Sequence, residues 1–382
     1  MFPGGVNSPV RFYPPYPVFI EKGKGSRLMD VDGNEYVDFI LSYGPSILGH
    51  APPEVISAIR SAADRGTIFG APTDLEVHYG ELLQKSSGLD LLRIVNTGSE
   101  ATLHAIRLAL HYTGRKRILK MDGGYHGTHP YGLPSERVTQ VPFNSVDDVK
   151  KELSTRDYAC LIMEPVMGNI GVIPPEDGFL EEIREITDKT ETLLIFDEVI
   201  TGYRTGFHPF FRRRGVQPDL ATFAKIVGGG LPLGIYGGRD DIMHMVSPSG
   251  DFSQAGTFSA NPVSLAAGLA VLITLQRSDY EYLERLTHLA VKILSKSGLT
   301  VNSETGMVSL FFTEDRVTRA SQARKSRTDL YLKLFRSALS RGIMIPPSAA
   351  ETMFISFAHT EDEVESSFTF LADEAERLWK RR

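Results

Sequence analysis

The sequence predicts an α/β fold, with a mostly parallel sheet in a large domain and a smaller α+β domain. In the middle of the 382-residue chain, short apolar runs alternate with stretches of helical periodicity, as in sheets covered by crossover helices. After about residue 278 the pattern changes to two apolar runs and one long helical stretch. We expect an N-terminal arm with part of the small domain (1–45), a large domain (46–277) and a C-terminal small domain (278–382).

Five apolar runs in the large domain predict buried strands, because each is short and bounded by polar or turn-forming residues. The stretches between them predict helices, and Gly114 is expected to end the first helix. The predicted strands are 92–95, 117–121, 159–163, 193–196 and 220–224, and the predicted helices are 100–112, 146–154 and 178–189.

The two chain ends predict a second, smaller unit. Strands are expected at 307–313 and 353–358, followed by a long helix that begins near Thr360. Thr360 and Glu363 have the spacing of a capping box at a helix N-terminus. In the arm, strands at 27–31 and 35–39 are joined by a turn at Asp32 and Gly33. The arm is therefore expected to pack beside the tail.

Composition excludes several classes of function. With 41 basic and 47 acidic residues the net charge is −6, and the basic residues are scattered, so nucleic acid is not an expected partner. The single Cys160 cannot form an internal disulfide, which favours a reducing, cytoplasmic location. The apolar run 263–275 is too short to span a membrane, and no export signal is recognisable.

Polar residues follow all five predicted strands. In parallel sheets, ligands bind outside the carboxyl ends of the strands. The sequence therefore predicts one site at this edge of the sheet, built from residues 96–100, 122–126, 164–165, 197–198 and 225.

Lys225 is the first candidate for chemistry. It follows an apolar run and precedes a glycine-rich turn, so its ammonium is expected in a desolvated pocket. Desolvation lowers the pKa of a lysine and favours imine chemistry. The alternative is a solvated lysine in an ordinary turn.

Asp197 is the second candidate, because it ends a buried strand where an isolated carboxylate is costly without a cationic partner. A lysine that forms a Schiff base and an Asp at the pyridine nitrogen together suit pyridoxal phosphate. The alternative is an ordinary ion pair of Asp197 or Glu198 with Arg204.

Further residues suggest how a flat, phosphorylated cofactor is held. Gly98 and Ser99 open a predicted helix, where an anion is favoured, although Ser99 could be only the N-cap. Tyr125 and His126 offer rings that could face a heterocycle. The His126 and His129 spacing does not suit a helical metal site, and the glycines at 228–230 do not form a dinucleotide motif, so no metal is predicted.

These residues occur in five longer motifs, namely GGVNSPVR at 4–11, NTGSEA at 96–101, DEVITGYR at 197–204, KIVGGGLP at 225–232 and GTFSANP at 256–262. With these motifs the chain resembles the class III aminotransferases, which are fold-type I pyridoxal-phosphate enzymes. The first and last motifs point to the glutamate-1-semialdehyde aminomutase branch of the family. The resemblance covers nearly the whole chain and implies a seven-stranded sheet.

The resemblance implies roles for individual residues. Lys225 would be the Schiff-base lysine and proton shuttle, and Asp197 would face the pyridine nitrogen. Thr257 would reach the phosphate of a second subunit, so that a homodimer shares its sites. The other implied cofactor contacts are Gly98, Ser99, Tyr125, His126, Glu164, Asn169 and Val199, and the implied substrate contacts are Ser8, Arg11, Tyr43 and Glu351.

The implied reaction moves an amino group within (S)-4-amino-5-oxopentanoate to give 5-aminolevulinate for tetrapyrrole synthesis. It uses the pyridoxal and pyridoxamine forms of the cofactor, and transient contact with the reductase that supplies the aldehyde is expected. The alternative is a class III aminotransferase that acts on an ω- or β-amino acid with a keto acid. One departure stands out: the family carries a long gating segment after Gly127, where this chain has only residues 128–131. A missing gate would loosen retention of the intermediate.

Overall fold

A computed structural model describes residues 1–12 and 17–381. The described strands are β1 (Ile20–Lys24), β2 (Arg27–Asp30), β3 (Glu35–Asp38), β4 (Leu91–Val95), β5 (Arg117–Met121), β6 (Val138–Val141), β7 (Tyr158–Met163), β8 (Leu193–Asp197), β9 (Leu220–Phe223), β10 (Gly234–Gly238), β11 (Thr300–Glu304), β12 (Met307–Phe311), β13 (Ile343–Met344) and β14 (Met353–Phe354). The described α-helices are α1 (Pro53–Ala63), α2 (Asp74–Ser87), α3 (Gly98–Thr113), α4 (Val146–Leu153), α5 (Phe179–Thr190), α6 (Phe210–Arg214), α7 (Asp240–Met243), α8 (Pro262–Leu275), α9 (Tyr280–Leu294), α10 (Ala320–Ala323), α11 (Thr328–Leu339) and α12 (Glu361–Lys380).

The large sheet confirms the predicted α/β class. Its seven strands, all described, run in the order β4-β10-β9-β8-β7-β5-β6. The strands from β9 to β6 are mutually parallel, and β10 alone runs antiparallel to both of its neighbours. The five strands predicted from apolar runs are all present, with ends that differ by at most one residue.

The strands β6 and β10 were missed by the analysis of apolar runs. β10 contains three glycines in five residues, which argues against a strand on propensity alone. The packing of the sheet explains these glycines. A Cβ on Gly238 would lie 2.1 Å from the carbonyl oxygen of Asp219, and a Cβ on Gly237 would lie 2.5 Å from the carbonyl oxygen of Leu91. The backbones of β10 and its neighbours thus approach so closely that only glycine fits.

Helix α3 begins earlier than predicted, and this moves Ser99 into the helix. Its N-cap is Thr97, whose Oγ1 accepts a hydrogen bond of 3.1 Å from the backbone N–H of Glu100. The interpretation of Ser99 as the N-cap is therefore wrong. Gly114 ends the helix as predicted, with a φ of 68° and its N–H bonded to the carbonyl of Leu110.

The chain ends share a sheet, whereas the sequence predicted only that the arm packs beside the tail. β3 of the arm pairs in parallel with β13 of the tail, within a four-stranded sheet of order β1-β2-β3-β13. The strand predicted at 353–358 is only two residues long, and beyond it the N–H of Phe357 bonds to the carbonyl of Ile47 in another segment. The capping box at the start of α12 is present. The domain boundaries near residues 45 and 277 stay predictions.

The most apolar helix is α8, whose 14 residues carry no charge and which packs against α1 and α2. Across residues 1–12 and 17–381, none of the helices combines the length and the apolar character that a membrane crossing requires.

Candidate active site

The carboxyl ends of the parallel strands meet at a cavity of about 270 Å³. The N-terminal turn of α3 and the segment before β10 complete its walls. All of the predicted cofactor residues except Thr257 line this cavity, namely Gly98, Ser99, Tyr125, His126, Glu164, Asn169, Asp197, Val199 and Lys225. Residues from several strand ends thus line one cavity, although Asp122 and Glu198 face elsewhere.

Lys225 is mostly buried at the edge of the cavity, which argues against a fully solvated lysine in a turn. It opens a short 3-10 helix (Lys225–Gly228) with a φ of 53°, a region that residues other than glycine rarely adopt. Such strain is typical of functional positions. Burial lowers the pKa of Lys225 to about 8, and the positive charge of Arg204 adds to this lowering. A useful fraction of neutral amine therefore exists near neutral pH.

Asp197 is held by three donors from different elements. Its Oδ1 accepts hydrogen bonds from the backbone N–H of Val199 at 3.1 Å and from Thr222 Oγ1 at 3.2 Å, and its Oδ2 lies 2.7 Å from His126 Nδ1. The other ring nitrogen of His126, Nε2, is buried with no hydrogen-bond partner in the described structure. These contacts fix the orientation of the carboxylate.

The alternative ion pair between Arg204 and either carboxylate is wrong. Glu198 accepts hydrogen bonds of 2.8 Å from the backbone N–H groups of Phe210 and Phe211 at the start of α6. Its burial raises the pKa of Glu198 to about 7. Arg204 donates instead to the carbonyl of Ile200. Only Asp197 of this acidic pair faces the cavity.

One end of the cavity is shaped for an anion. The first N–H groups of α3, at Gly98 and Ser99, have no partner within the helix and carry the positive end of its dipole. A Cβ on Gly98 would lie 3.1 Å from Val199, and one on Gly127 would lie 2.5 Å from Ser99 Oγ. Both glycines therefore allow the backbone to close around this end.

The short connection after Gly127 is firmly tied to the sheet. The buried Lys120 on β5 donates a 2.8 Å hydrogen bond to the carbonyl of Gly132. His129 Nδ1 accepts from the N–H of Gly132 at 3.1 Å, and its Nε2 lies 3.1 Å from Thr102 Oγ1. This connection continues from Gly127, which lines the first cavity, and its Thr128 lines the second cavity described below.

Glu164 anchors the side of the cavity that carries Tyr125. Its Oε1 accepts from the N–H of Tyr125 at 3.0 Å, and its Oε2 accepts from the N–H of Gly168 and from Asn169 Nδ2, both at 2.9 Å. Burial raises the pKa of Glu164. The ring of Tyr125 is half exposed and is free to cover a flat ligand.

A second cavity, of about 610 Å³, adjoins the first. Tyr125, Asn169, Ile200 and Lys225 line both cavities, so Lys225 lies at their junction. The residues predicted to contact substrate all line the second cavity, namely Ser8, Arg11, Tyr43 and Glu351.

The N-terminal arm closes one side of this second cavity. The hydroxyl of Tyr43 donates a 2.5 Å hydrogen bond to the carbonyl of Val10, which holds the segment of Ser8 and Arg11 in place. Glu351 comes from the C-terminal part of the chain. Its pKa is raised by burial, and the nearby positive charge of Lys225 offsets part of this increase.

Thr257 is the predicted site residue that the structure does not bring to either cavity. It is exposed in this chain, and the side chain of the adjacent Phe258 is 63% exposed.

Several residues around the cavities were missed by sequence reasoning. Ala224 adjoins Lys225 in the chain, so the strand-end rule could have included it, whereas Asn96 and Thr97 already belong to the predicted segment 96–100. Ile200, Thr102 and Phe354 gave no local signal, because tertiary packing alone brings them to the cavities.

Comparisons of the sequence and of the fold with known proteins lead to the same family. The model of the family described as aminotransferase class-III matches residues 10–140 and 131–345. A glutamate-1-semialdehyde 2,1-aminomutase from Thermoplasma acidophilum is 46% identical over 395 residues, with 95% of this chain and 93% of that protein covered. This alignment is longer than the 382-residue chain, so the relative contains residues that have no counterpart here.

Solved structures share the fold at lower identity. An ω-transaminase from Sphaerobacter thermophilus superposes with a TM-score of 0.92 at 29% identity, covering 98% of this chain and 95% of that one. A glutamate-1-semialdehyde aminomutase variant from Pseudomonas aeruginosa, solved in complex with PMP, has a TM-score of 0.86 at 25% identity, with 95% and 88% covered.

Proposed function

The chain belongs to the class III aminotransferase family, and from this membership we propose that it is an intramolecular aminotransferase. It converts glutamate 1-semialdehyde, (S)-4-amino-5-oxopentanoate, to 5-aminolevulinate with pyridoxal and pyridoxamine phosphate as cofactor forms. The observation that carries this proposal is the 46% identity, over nearly the full length, to an aminomutase. The product is a precursor of tetrapyrroles.

The residues of the first cavity fit the cofactor. Asp197 is a buried carboxylate whose three donors leave it oriented toward the cavity, as a pyridinium partner requires. The N-terminus of α3 with Gly98 and Ser99 suits a phosphate. Lys225 is buried with a lowered pKa, as a lysine that bonds to an aldehyde requires. Tyr125 and Val199 would cover the two faces of the ring.

Lys225 moves the protons in the proposed reaction. When bound, the pyridoxamine form of the cofactor supplies an amino group and a ring that withdraws electrons from the neighbouring carbon. Because Lys225 lies where the two cavities join, its Nζ can take a proton from one substrate carbon and return it at the other. Its lowered pKa suits both steps near neutral pH.

Arg11 and Ser8 bind the carboxylate at the far end of the substrate. The guanidinium of Arg11 offers paired donors that match a carboxylate, and both residues line the second cavity. Glu351 lies in the same cavity, where a negative charge would disfavour a second carboxylate next to the amino group. Substrates with an α-carboxylate, such as glutamate, are therefore selected against.

The active sites are proposed to be shared across a homodimer in the cytoplasm. The anion-binding end of the cavity lacks a contribution from Thr257, which is exposed on its own chain beside the exposed Phe258. We infer that Thr257 donates its hydroxyl to the phosphate held by the second subunit. The substrate is a reactive aldehyde, so transient contact with the reductase that makes it is part of the proposal.

Subunit mixing tests the shared site. Thr257→Ala and Lys225→Ala proteins are each expected to be impaired, whereas a mixed dimer contains one site with both native residues. We expect mixing to restore turnover to about a quarter of the wild-type value, since half of the dimers are mixed and each has one of two sites intact. Turnover is measured as 5-aminolevulinate formed after dissociation and reassociation. If Thr257 served its own subunit, mixing would restore nothing.

The function itself is tested by the need for a second substrate. The protein in its pyridoxamine form is given glutamate 1-semialdehyde with neither an amino donor nor a keto acid, and 5-aminolevulinate is measured against the amount of enzyme. Many products per subunit are expected, because an isomerisation regenerates the starting cofactor form. At most one product per subunit would contradict the proposal.

A second candidate is an aminotransferase that acts on an ω- or β-amino acid. The close superposition with an ω-transaminase favours it, although the identity is only 29%. This candidate predicts that the same protein turns over only when an amino donor and a keto acid are both added.

A further inference from the structure

The environment of Lys225 contains a second buried cation, Arg204, which the proposed reaction does not use. The side chain of Arg204 is completely buried, and it lines neither cavity. Within the described parts of the chain it forms no ion pair with a carboxylate. A buried guanidinium without a counter-ion is costly, so its retention calls for a physical reason.

Arg204 is held in one orientation by neutral groups. Its Nε donates a 3.0 Å hydrogen bond to the carbonyl of Ile200, and its Nη2 donates to the carbonyl of Gly44. The guanidinium carbon lies 4.4 Å from the ring centre of Phe354, a residue that lines the second cavity. The remaining nitrogen, Nη1, is buried without a hydrogen-bond partner in the described structure. None of these contacts neutralises the charge.

Gly44 brings Arg204 and Lys225 together. A Cβ built on Gly44 would lie 3.1 Å from Arg204 Nη2 and 3.3 Å from Lys225 Cδ. Gly44 also has a φ of 120°, so its conformation and its lack of a side chain both favour glycine. The two cationic side chains therefore both pack against the open face of Gly44.

The groups around Lys225 act in opposite directions. The carboxylates of Glu164, Asp197 and Glu351 favour its protonated form, whereas burial and the charge of Arg204 favour its neutral form. Since like charges in a low-dielectric site repel strongly, Arg204 offsets part of the effect of the three carboxylates.

We propose that Arg204 is a positioning residue whose fixed positive charge keeps the amino group of Lys225 available in its neutral form near neutral pH. Its hydrogen bonds to Ile200 and Gly44 and its contact with Phe354 hold that charge beside the lysine. The proposal rests on the role given above to Lys225 and holds for any substrate.

The titration of Lys225 tests the proposal without measuring turnover. The protein carrying the pyridoxamine form of the cofactor, which leaves Lys225 unbonded, is labelled with ¹³C at the lysine ε carbons. The signal of Lys225 is identified by its absence from Lys225→Met protein and is followed from about pH 6 to 11. Because the readout is the lysine itself, it remains interpretable even if the proposed substrate is wrong.

Two substitutions separate charge from packing. Arg204→Gln removes the charge, and we expect the midpoint for Lys225 to rise by at least about one pH unit. Arg204→Lys keeps the charge but loses the planar contact with Phe354, and we expect a midpoint close to that of the wild type. Arg213→Gln, at an exposed arginine of α6, is the matched control and should leave the midpoint unchanged.

Each outcome decides the proposal. It is overturned if Arg204→Gln leaves the midpoint unchanged, or if Arg204→Lys raises it as much as Arg204→Gln does, since packing would then be the cause. If Arg204→Gln does not fold, the wild-type midpoint still decides: a value near that of an exposed lysine, about 10.4, overturns the proposal. The proposal is supported if the midpoint of Lys225 is near 8 in the wild type and stays near 8 in Arg204→Lys.

Discussion

Replacing Lys225 by Ala is expected to lower the turnover of glutamate 1-semialdehyde by a factor on the order of 10³ or more. The substitution removes the group that we propose to move protons at the junction of the two cavities, and proton transfer of this kind contributes about 10²- to 10⁴-fold. Loss of the covalent bond to the cofactor adds to the effect. Turnover is measured as 5-aminolevulinate formed, with circular dichroism as a check that the protein is folded.

Lys225→Arg provides the matched control for charge. Arg keeps a positive side chain at the same place but does not deprotonate in proteins, so it can neither bond to an aldehyde nor accept a proton. We expect it to be as inactive as Lys225→Ala. Substantial turnover by either variant would contradict the role assigned to this lysine.

Replacing Asp197 by Asn is expected to lower turnover by a factor on the order of 10², while the protein stays folded. The amide has nearly the shape of the carboxylate and can still accept from Val199 and Thr222, but it lacks the negative charge that a pyridinium requires. Loss of one preorganised electrostatic partner in a buried site has effects of this size. The measurement is turnover at saturating cofactor, together with the absorption spectrum of the bound cofactor.

Thr222→Val separates the charge of Asp197 from its orientation. This substitution removes the 3.2 Å hydrogen bond to Asp197 Oδ1 and preserves the carboxylate, so a loss of about one order of magnitude or less is expected. If Thr222→Val and Asp197→Asn were equally impaired, orientation rather than charge would be the main contribution of Asp197.

Much of the fold follows from patterns that the sequence shows directly. The five predicted strands of the large sheet are short, mostly apolar runs, and the helices between them have clear periodicity and a stop at Gly114. β10 could not be predicted from its own residues. Its glycines are required because the backbone carbonyls of Asp219 and Leu91, at the neighbouring strands, lie too close for a side chain. Short edge strands and glycine-rich strands are stabilised by their neighbours in the sheet. The β-propensity of single residues contains no information about those neighbours.

The candidate site shows the same division. The strand-end rule named Glu164, Asp197 and Lys225, and these line one cavity. The rule also named Asp122 and Glu198, which lie equally close to strand ends but turn away, to Arg324 and to the start of α6. A strand end fixes where a residue is, whereas the direction of its side chain depends on which partner the fold supplies.

The sequence by itself determined the α/β class, the family and most of the residues that line the first cavity, because apolar runs, turn residues and motifs are local properties of the chain. Only the tertiary structure decided three features: the strained conformation of Lys225, the position of Arg204 beside it with no carboxylate partner among the described residues, and the meeting of both cavities at this lysine. These features depend on burial and on contacts between segments far apart in the chain. Distances of this kind are set when the core packs, and no local pattern encodes them.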